Sequence, residues 1–207
     1  MFSRPIHAAS SIALMVLMVS GGLVGVVPAA LADGAPETPS TPKNIDATPP
    51  LVPIPNARVT KTGLLIGGQP SPGQLKAIRD AGYQTVISLR TDSEHGDEGE
   101  QVAVERLSMR FVSIPVAGAA GLTAENARAL AKELGVQDAL PAVVHCKSGQ
   151  RVSALLGLKA FVVDRVSAAA AIDLAKSLGM TKLEAALRGR IAEICKADKS
   201  RNCEDTP

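Results

Sequence analysis

Short β-branched apolar runs alternate with longer amphipathic ones through the middle of this chain. Thr85 to Leu89 ("TVISL"), Arg110 to Ile114 ("RFVSI") and Ala142 to His145 ("AVVH") read as buried strands, too short for helices and rich in Val and Ile. An earlier run, Val59 to Ile66, predicts a strand joining one edge of the same sheet. Helical stretches fall between them. Ser71-Pro72 opens "GQLKAIRDA" and Gly82 stops it, Glu100 to Leu107 carries a weaker pattern, and Thr123 caps "AENARALAKEL" with Gly135 behind it. Beyond Arg151 come "VSALLGLKAFV", then Ser167 capping "AAAAIDLAKSL" with Gly179 as its stop. Thr181 to Glu184 then forms a capping box before "LRGRIAEIC". The pattern predicts an α/β fold: a central, mainly parallel sheet flanked by helices, with a helical C-terminal third.

The N-terminal part is a different text. Arg4 precedes an apolar run from Ile12 to Val27, and Ala30-Leu31-Ala32 supplies a small-x-small site before Asp33. Residues 1–32 therefore read as a cleaved signal peptide and the mature protein as periplasmic or secreted; the alternative is an uncleaved anchor, the one membrane contact expected. From Asp33 to Ala57 lie seven of the chain's 14 prolines, too many for helix or sheet interior, so 33–57 reads as an extended linker. The folded domain is expected over 58–195 and a polar tail over 196–207.

Composition narrows the function. The formal charge is +2, or +1 once Arg4 leaves with the signal, and the aromatics are Phe2, Tyr83, Phe111 and Phe161. Neither a phosphate-tracking basic face nor a base-stacking platform follows, so nucleic acid is not an expected partner. The histidines His7, His95 and His145 are scattered and no paired-Cys spacing occurs, so neither metal nor cofactor is expected. Three cysteines in an exported chain leave one odd. Cys195 and Cys203, eight residues apart, are expected to form a disulfide, and Cys146 is left as a free thiol.

Cys146 stands at the carboxyl end of a buried strand and ahead of a helix, where open α/β sheets bind ligands. Inward-turned N–H groups of such a loop, with those of the helix's first turn, form an anion cradle. The same field favours thiolate over thiol and makes Cys146 a nucleophile. Gly149 lets the backbone fold inward without a Cβ clash, and Arg151 offers a planar fork for two oxygens of an oxyanion. Ser153 can donate its hydroxyl to the sulfur. His145 is either an orienter of the loop or a hydrogen-bonded residue at a strand end.

"VVHCKSGQRVSALLGLKAF" resembles the signature loop of cysteine-dependent phosphatases of the dual-specificity type: His-Cys, five residues, Arg, then Ser or Thr. With "GGQPSPGQLKAIRDAGYQTVISLRTDSE" and "RFVSIPV", the resemblance covers about two thirds of the mature chain. It is similar to the bacterial phosphatase-like family typified by the N-terminal domain of beta-lactamase-hydrolase-like proteins. That resemblance implies a dual-specificity-phosphatase-like fold with Cys146 as nucleophile and Arg151 on the phosphoryl oxygens. It also implies that His145, Lys147, Ser148, Gly149 and Gln150 line the cradle.

Two departures change what carries over. Four residues, not five, separate Cys146 from Arg151, and Val152 stands where the phosphatase Arg would be. This shorter ring also resembles the loop of rhodanese sulfurtransferases, which carries a persulfide. The dual-specificity pattern places an acid Asp after the "IPV" strand, but the text there is "AGAAGL". Asp92, Glu94 and Asp97 in the neighbouring "RTDSEHGDEGE" are the substitutes, with Asp92 the candidate acid; the alternative is a solvated acidic loop held to the sheet by Arg90. The expected function is a cysteine-dependent phosphatase acting on a small phosphate ester or phosphoprotein through a phosphocysteine. The alternatives are sulfur transfer through a Cys146 persulfide and a non-catalytic oxyanion-binding module.

Overall fold

The computed structural model describes residues 49–94 and 99–203. The signal segment, most of the Pro-rich stretch, His95 and Asp97 lie outside the described residues. Five strands form one sheet: β1 (Arg58–Val59), β2 (Leu65–Gly67), β3 (Thr85–Ser88), β4 (Arg110–Ser113) and β5 (Ala142–His145), in the order β1-β2-β5-β3-β4. β2, β5, β3 and β4 run parallel, and β1 is antiparallel to β2. The expected single edge strand from Val59 to Ile66 is thus a hairpin. Gly63, at φ +78°, turns the chain, and Leu65 and Ile66 pair with Val143 and Val144 inside the sheet.

Alternation along the strands sorts their side chains onto two faces. Leu65, Val86 and Val143 pack with Leu75 and Ile78 of α1 (Pro72–Asp80) and Val104 of α2 (Gly99–Arg106). Ile66, Ile87 and Val144 pack with α3 (Ala124–Leu134), α4 (Gln150–Val162), α5 (Ala168–Ser177) and α6 (Glu184–Ala197). α4 is the central helix of that layer, and nearly every residue from Arg151 to Val162 is buried. It is apolar almost all round because neighbours cover it almost all round.

Helix starts follow local chemistry where the cap is local. Ser71 and Gln74 form a capping box on α1, and Thr123 and Ser167 cap α3 and α5 by accepting from Asn126 and Ala170. The capping box expected at Thr181 does not form. α6 starts after Leu183 without a side-chain cap, and the Thr181 N–H and hydroxyl donate instead to Gln150 Oε1 at 2.8 and 3.2 Å.

Both ends of the domain reach past the expected boundaries. Val52 and Ile54 are buried in the α1–α2 layer, and the Tyr83 hydroxyl donates to the Pro50 carbonyl, so the close of the Pro-rich stretch is part of the fold. Cys195 and Cys203 form a disulfide. The tail it closes lies on the helical layer: Asn202 O accepts from Ala168, Arg201 donates to the Phe161 and Val162 carbonyls, and its guanidinium sits 5.4 Å from the Phe161 ring centre. No helix of the described residues is long and apolar enough to cross a membrane.

Candidate active site

Four parallel strands end on one edge of the sheet, and the segments that follow them meet there. After β5 the backbone is held from the β2 side: Cys146 N–H donates to Gly67 O at 3.3 Å, and Gln69 N–H reaches Lys147 O at 3.4 Å. Gly149 then turns at φ +86°, where a Cβ would lie against the Gly67 backbone, and α4 starts at Gln150. This left-handed turn aims the Gly149 N–H at the Cys146 sulfur, 3.1 Å away. Cys146 is 1% exposed, and its sulfur is the acceptor at the head of a helix. Lys147 and Ser148 are exposed at the tip of the loop.

Arg151, one residue into α4, is 8% exposed and reaches across to β3 and β4. Nη1 donates to Leu89 O at 3.1 Å and Val116 O at 2.8 Å, and Nη1 and Nη2 grip Glu94 at 2.6 and 2.7 Å. This is a bidentate, charge-assisted pair. Hydrogen bonding from Arg151 holds the Glu94 carboxyl down at about 2 against the opposing effect of burial, with Thr91 adding a backbone and a hydroxyl donor. Burial works against the Arg151 charge, but the bond to Glu94 and the negative field of Glu94 and Cys146 outweigh it and raise the guanidinium above its ordinary value.

The acidic turn therefore splits by role. Glu94 is spent on Arg151 and stays ionised, so it supplies no proton near neutral pH. Asp92, two residues earlier on the same 3-10 turn (Asp92–Glu94), is exposed. The segment after β4 contributes the Val116 carbonyl to Arg151 in place of an acid.

Behind the loop lies a second polar group that the sequence pattern did not reveal. His145 is fully buried, with Nε2 3.0 Å from Glu100 Oε1, a close contact in which neither ring nitrogen makes an aligned hydrogen bond among the described residues. Gln69, from the Gly-Gln-Pro stretch, donates to the same Glu100 oxygen at 2.7 Å and accepts from Arg90 at 3.0 Å. Arg90, expected to brace the acidic loop, is seen here fixing Gln69. Gln69 had a signal in its motif; Glu100, on a weakly patterned helix 45 residues before His145, had none.

One expected role is corrected. The Ser153 hydroxyl donates into the Leu178 carbonyl at 2.8 Å, with Gly149 O at 3.2 Å, so its one hydrogen ties α4 to the end of α5 rather than serving the sulfur. The Gln150 side chain reaches away from the loop: Nε2 donates to Gly179 O, and Oε1 accepts from Thr181 and Lys182. Among the described residues no cluster of His, Cys, Asp and Glu is placed to hold a metal. A cavity of ≈ 280 Å³ opens on the β1 side of the loop, bounded by Asn56, Arg58, Ser148, Gly149, Gln150 and Thr181 among others.

Residues 56–193, about two thirds of the chain, match the family model described as DSP-PTPase phosphatase fused to NAD+ kinase. The beta-lactamase hydrolase-like protein of Xylella fastidiosa (strain Temecula1) is 30% identical over 107 residues, 50% of this chain; the match spans 24% of that protein, so the chain corresponds to about a quarter of it. Among solved structures, Pseudomonas aeruginosa TpbA superposes with a TM-score of 0.54 at 15% identity over 69% of this chain and 89% of that one. A DUF442 protein of Shewanella putrefaciens CN-32 gives 0.51 at 21% identity over 70% and 93%. At those identities the likeness establishes the fold.

Proposed function

The chain belongs to the family of DSP-PTPase phosphatases described as fused to NAD+ kinase, and from that membership we propose that it hydrolyses phosphate esters through a phosphocysteine on Cys146. The observation that carries the proposal is the Gly149 N–H directed at the Cys146 sulfur 3.1 Å away, at a strand end where Arg151 is fixed by Glu94. The thiolate attacks phosphorus, the ester oxygen leaves with the electron pair of the P–O bond, and a cysteinyl phosphate forms. Water then adds at phosphorus, the P–S bond breaks and inorganic phosphate departs.

Arg151 has five N–H groups; Leu89, Val116 and Glu94 take three, and the guanidinium also bonds the Cys146 sulfur, so the Nε–H and the second Nη2–H serve the nucleophile and the phosphoryl oxygens together. Those two, with the loop N–H groups, stabilise the charge that develops on the equatorial oxygens. Lys147 and Ser148 at the exposed tip complete the rim. His145 holds the strand end behind the nucleophile. With Glu94 committed as an anion, Asp92 is the described carboxylate of that turn left to protonate the leaving oxygen. A positioned acid contributes ~10² to 10⁴ in rate. Esters with good leaving groups are therefore the favoured substrates.

A second reading is favoured by the four-residue loop and the acid-poor rim: sulfur transfer. Attack of the Cys146 thiolate on the outer sulfur of thiosulfate expels sulfite and leaves a persulfide, which cyanide discharges as thiocyanate; no oxygen leaving group needs a proton.

The two are separated by giving the protein p-nitrophenyl phosphate and, in parallel, thiosulfate with cyanide, each beside Cys146→Ser. Phosphate release abolished in Cys146→Ser supports hydrolysis, and Asp92→Asn then costs more with an alkyl phosphate than with the p-nitrophenyl ester. Thiocyanate formation without phosphate release contradicts it and leaves the persulfide reading.

A further inference from the structure

The cavity on the β1 side of the loop is chemically one-sided. None of its lining residues is acidic. Its carbonyls at Gly67, Leu178 and Gly179 each already accept a hydrogen bond, from Cys146, Ser153 and Gln150. The side-chain donors of Asn56, Gln150, Ser153 and Thr181 are likewise engaged, so what the lining turns toward a ligand is chiefly positive charge.

The charge comes from Arg58. Its guanidinium lies on Gly179, where a Cβ would collide with it, and it makes a long bond to Asn56 O at 3.5 Å. Among the described residues no carboxylate pairs with it. Lys147 and Lys182 adjoin the lining residues Ser148 and Thr181 in the chain and are likewise without an ion pair among the described residues. An Arg left unneutralised in a lining without acid is the arrangement that recognises a phosphate or carboxylate.

Position and size say which anion. Gly149 belongs to both sites: its N–H reaches the Cys146 sulfur, and the same residue lines the cavity. At ≈ 280 Å³ the space falls just below the ~300 to 1,000 Å³ of pockets that enclose whole ligands, so it suits one end of a molecule whose other end lies in the cradle.

We propose that this cavity is a subsite for a second anionic group, so that the preferred substrates are small phosphate esters carrying two anionic groups, one taken by the Cys146 loop and one by Arg58. The inference rests on the phosphatase reading for its catalytic consequence, while the binding it asserts is separable from turnover.

The test compares fructose 1,6-bisphosphate with fructose 6-phosphate. Phosphate release from the full chain is expected to favour the bisphosphate at least tenfold in kcat/KM, chiefly through KM, and Arg58→Ala is expected to collapse that ratio toward one. In parallel, both sugars are titrated calorimetrically into Cys146→Ser with and without Arg58→Ala. An Arg58-dependent preference for the bisphosphate in binding, without turnover of either sugar by the unaltered chain, upholds the subsite and overturns the phosphatase reading. Turnover with a ratio that Arg58→Ala leaves unchanged overturns the subsite and upholds the phosphatase reading. Binding of neither sugar overturns the subsite.

Discussion

Arg151 and Glu94 stand in a relation that the linear motif does not contain. The motif assigns the guanidinium to the substrate, yet in the fold it first binds a carboxylate from the turn after β3 and the Cys146 sulfur. Glu94 titrates at about 2 when folded against an ordinary 4.5, so its stabilising contribution is present above the ordinary value and is lost as pH falls through about 2. Stability in urea should fall from pH 4.5 toward 2 more steeply in the unaltered chain than in Glu94→Gln; parallel profiles would show that the pair contributes nothing. Cys146, Gly149 and Arg151 are legible because they lie close together on one strand-loop-helix. Glu94 was legible only as one of several carboxylates, and Glu100 not at all, because its contact with His145 exists only once α2 has packed beneath the sheet edge.

At the scale of elements, the same division holds. Ser71, Thr123 and Ser167 mark helix starts because a cap is a contact between residues three apart. Thr181 misled because Gln150, 31 residues away, takes its N–H and hydroxyl, and a local rule cannot see that competitor. The hairpin of β1 and β2 is not legible as two strands for a related reason: Thr60 to Gly63 is a polar stretch too short to mark a turn by itself, and the pairing of Val59 with Leu65 exists only once the chain folds back. Gly157 shows what the packing of α4 demands. A Cβ there would lie 2.6 Å from the Ala171 carbonyl and 2.8 Å from the Ala175 methyl, so α4 and α5 meet backbone to backbone. Gly157→Ala should therefore destabilise by about 1–3 kcal/mol despite alanine's better helix propensity. Thermal unfolding would register this as a loss of several degrees, and an unchanged or raised midpoint would mean that the helices can separate without cost.

The described domain gathers the candidate site at one edge of its sheet and anchors the far end of α4 with its own tail. The Cys195–Cys203 disulfide closes a short segment whose Arg201 and Asn202 bind α4 and the start of α5. Reduction should lower stability by about 2–4 kcal/mol. Melting with and without dithiothreitol, using a Cys195→Ser/Cys203→Ser variant as the control that reductant cannot shift, checks this; equal midpoints for the oxidised and reduced chain would contradict it. The central claim concerns the site at that sheet edge, and it is tested most directly by acid-quenching the protein during turnover of p-nitrophenyl phosphate and locating the adduct by mass spectrometry. The account predicts a phosphoryl group on Cys146, absent in Cys146→Ser. Turnover with an unmodified Cys146, or a phosphoryl group found on another residue, would contradict it.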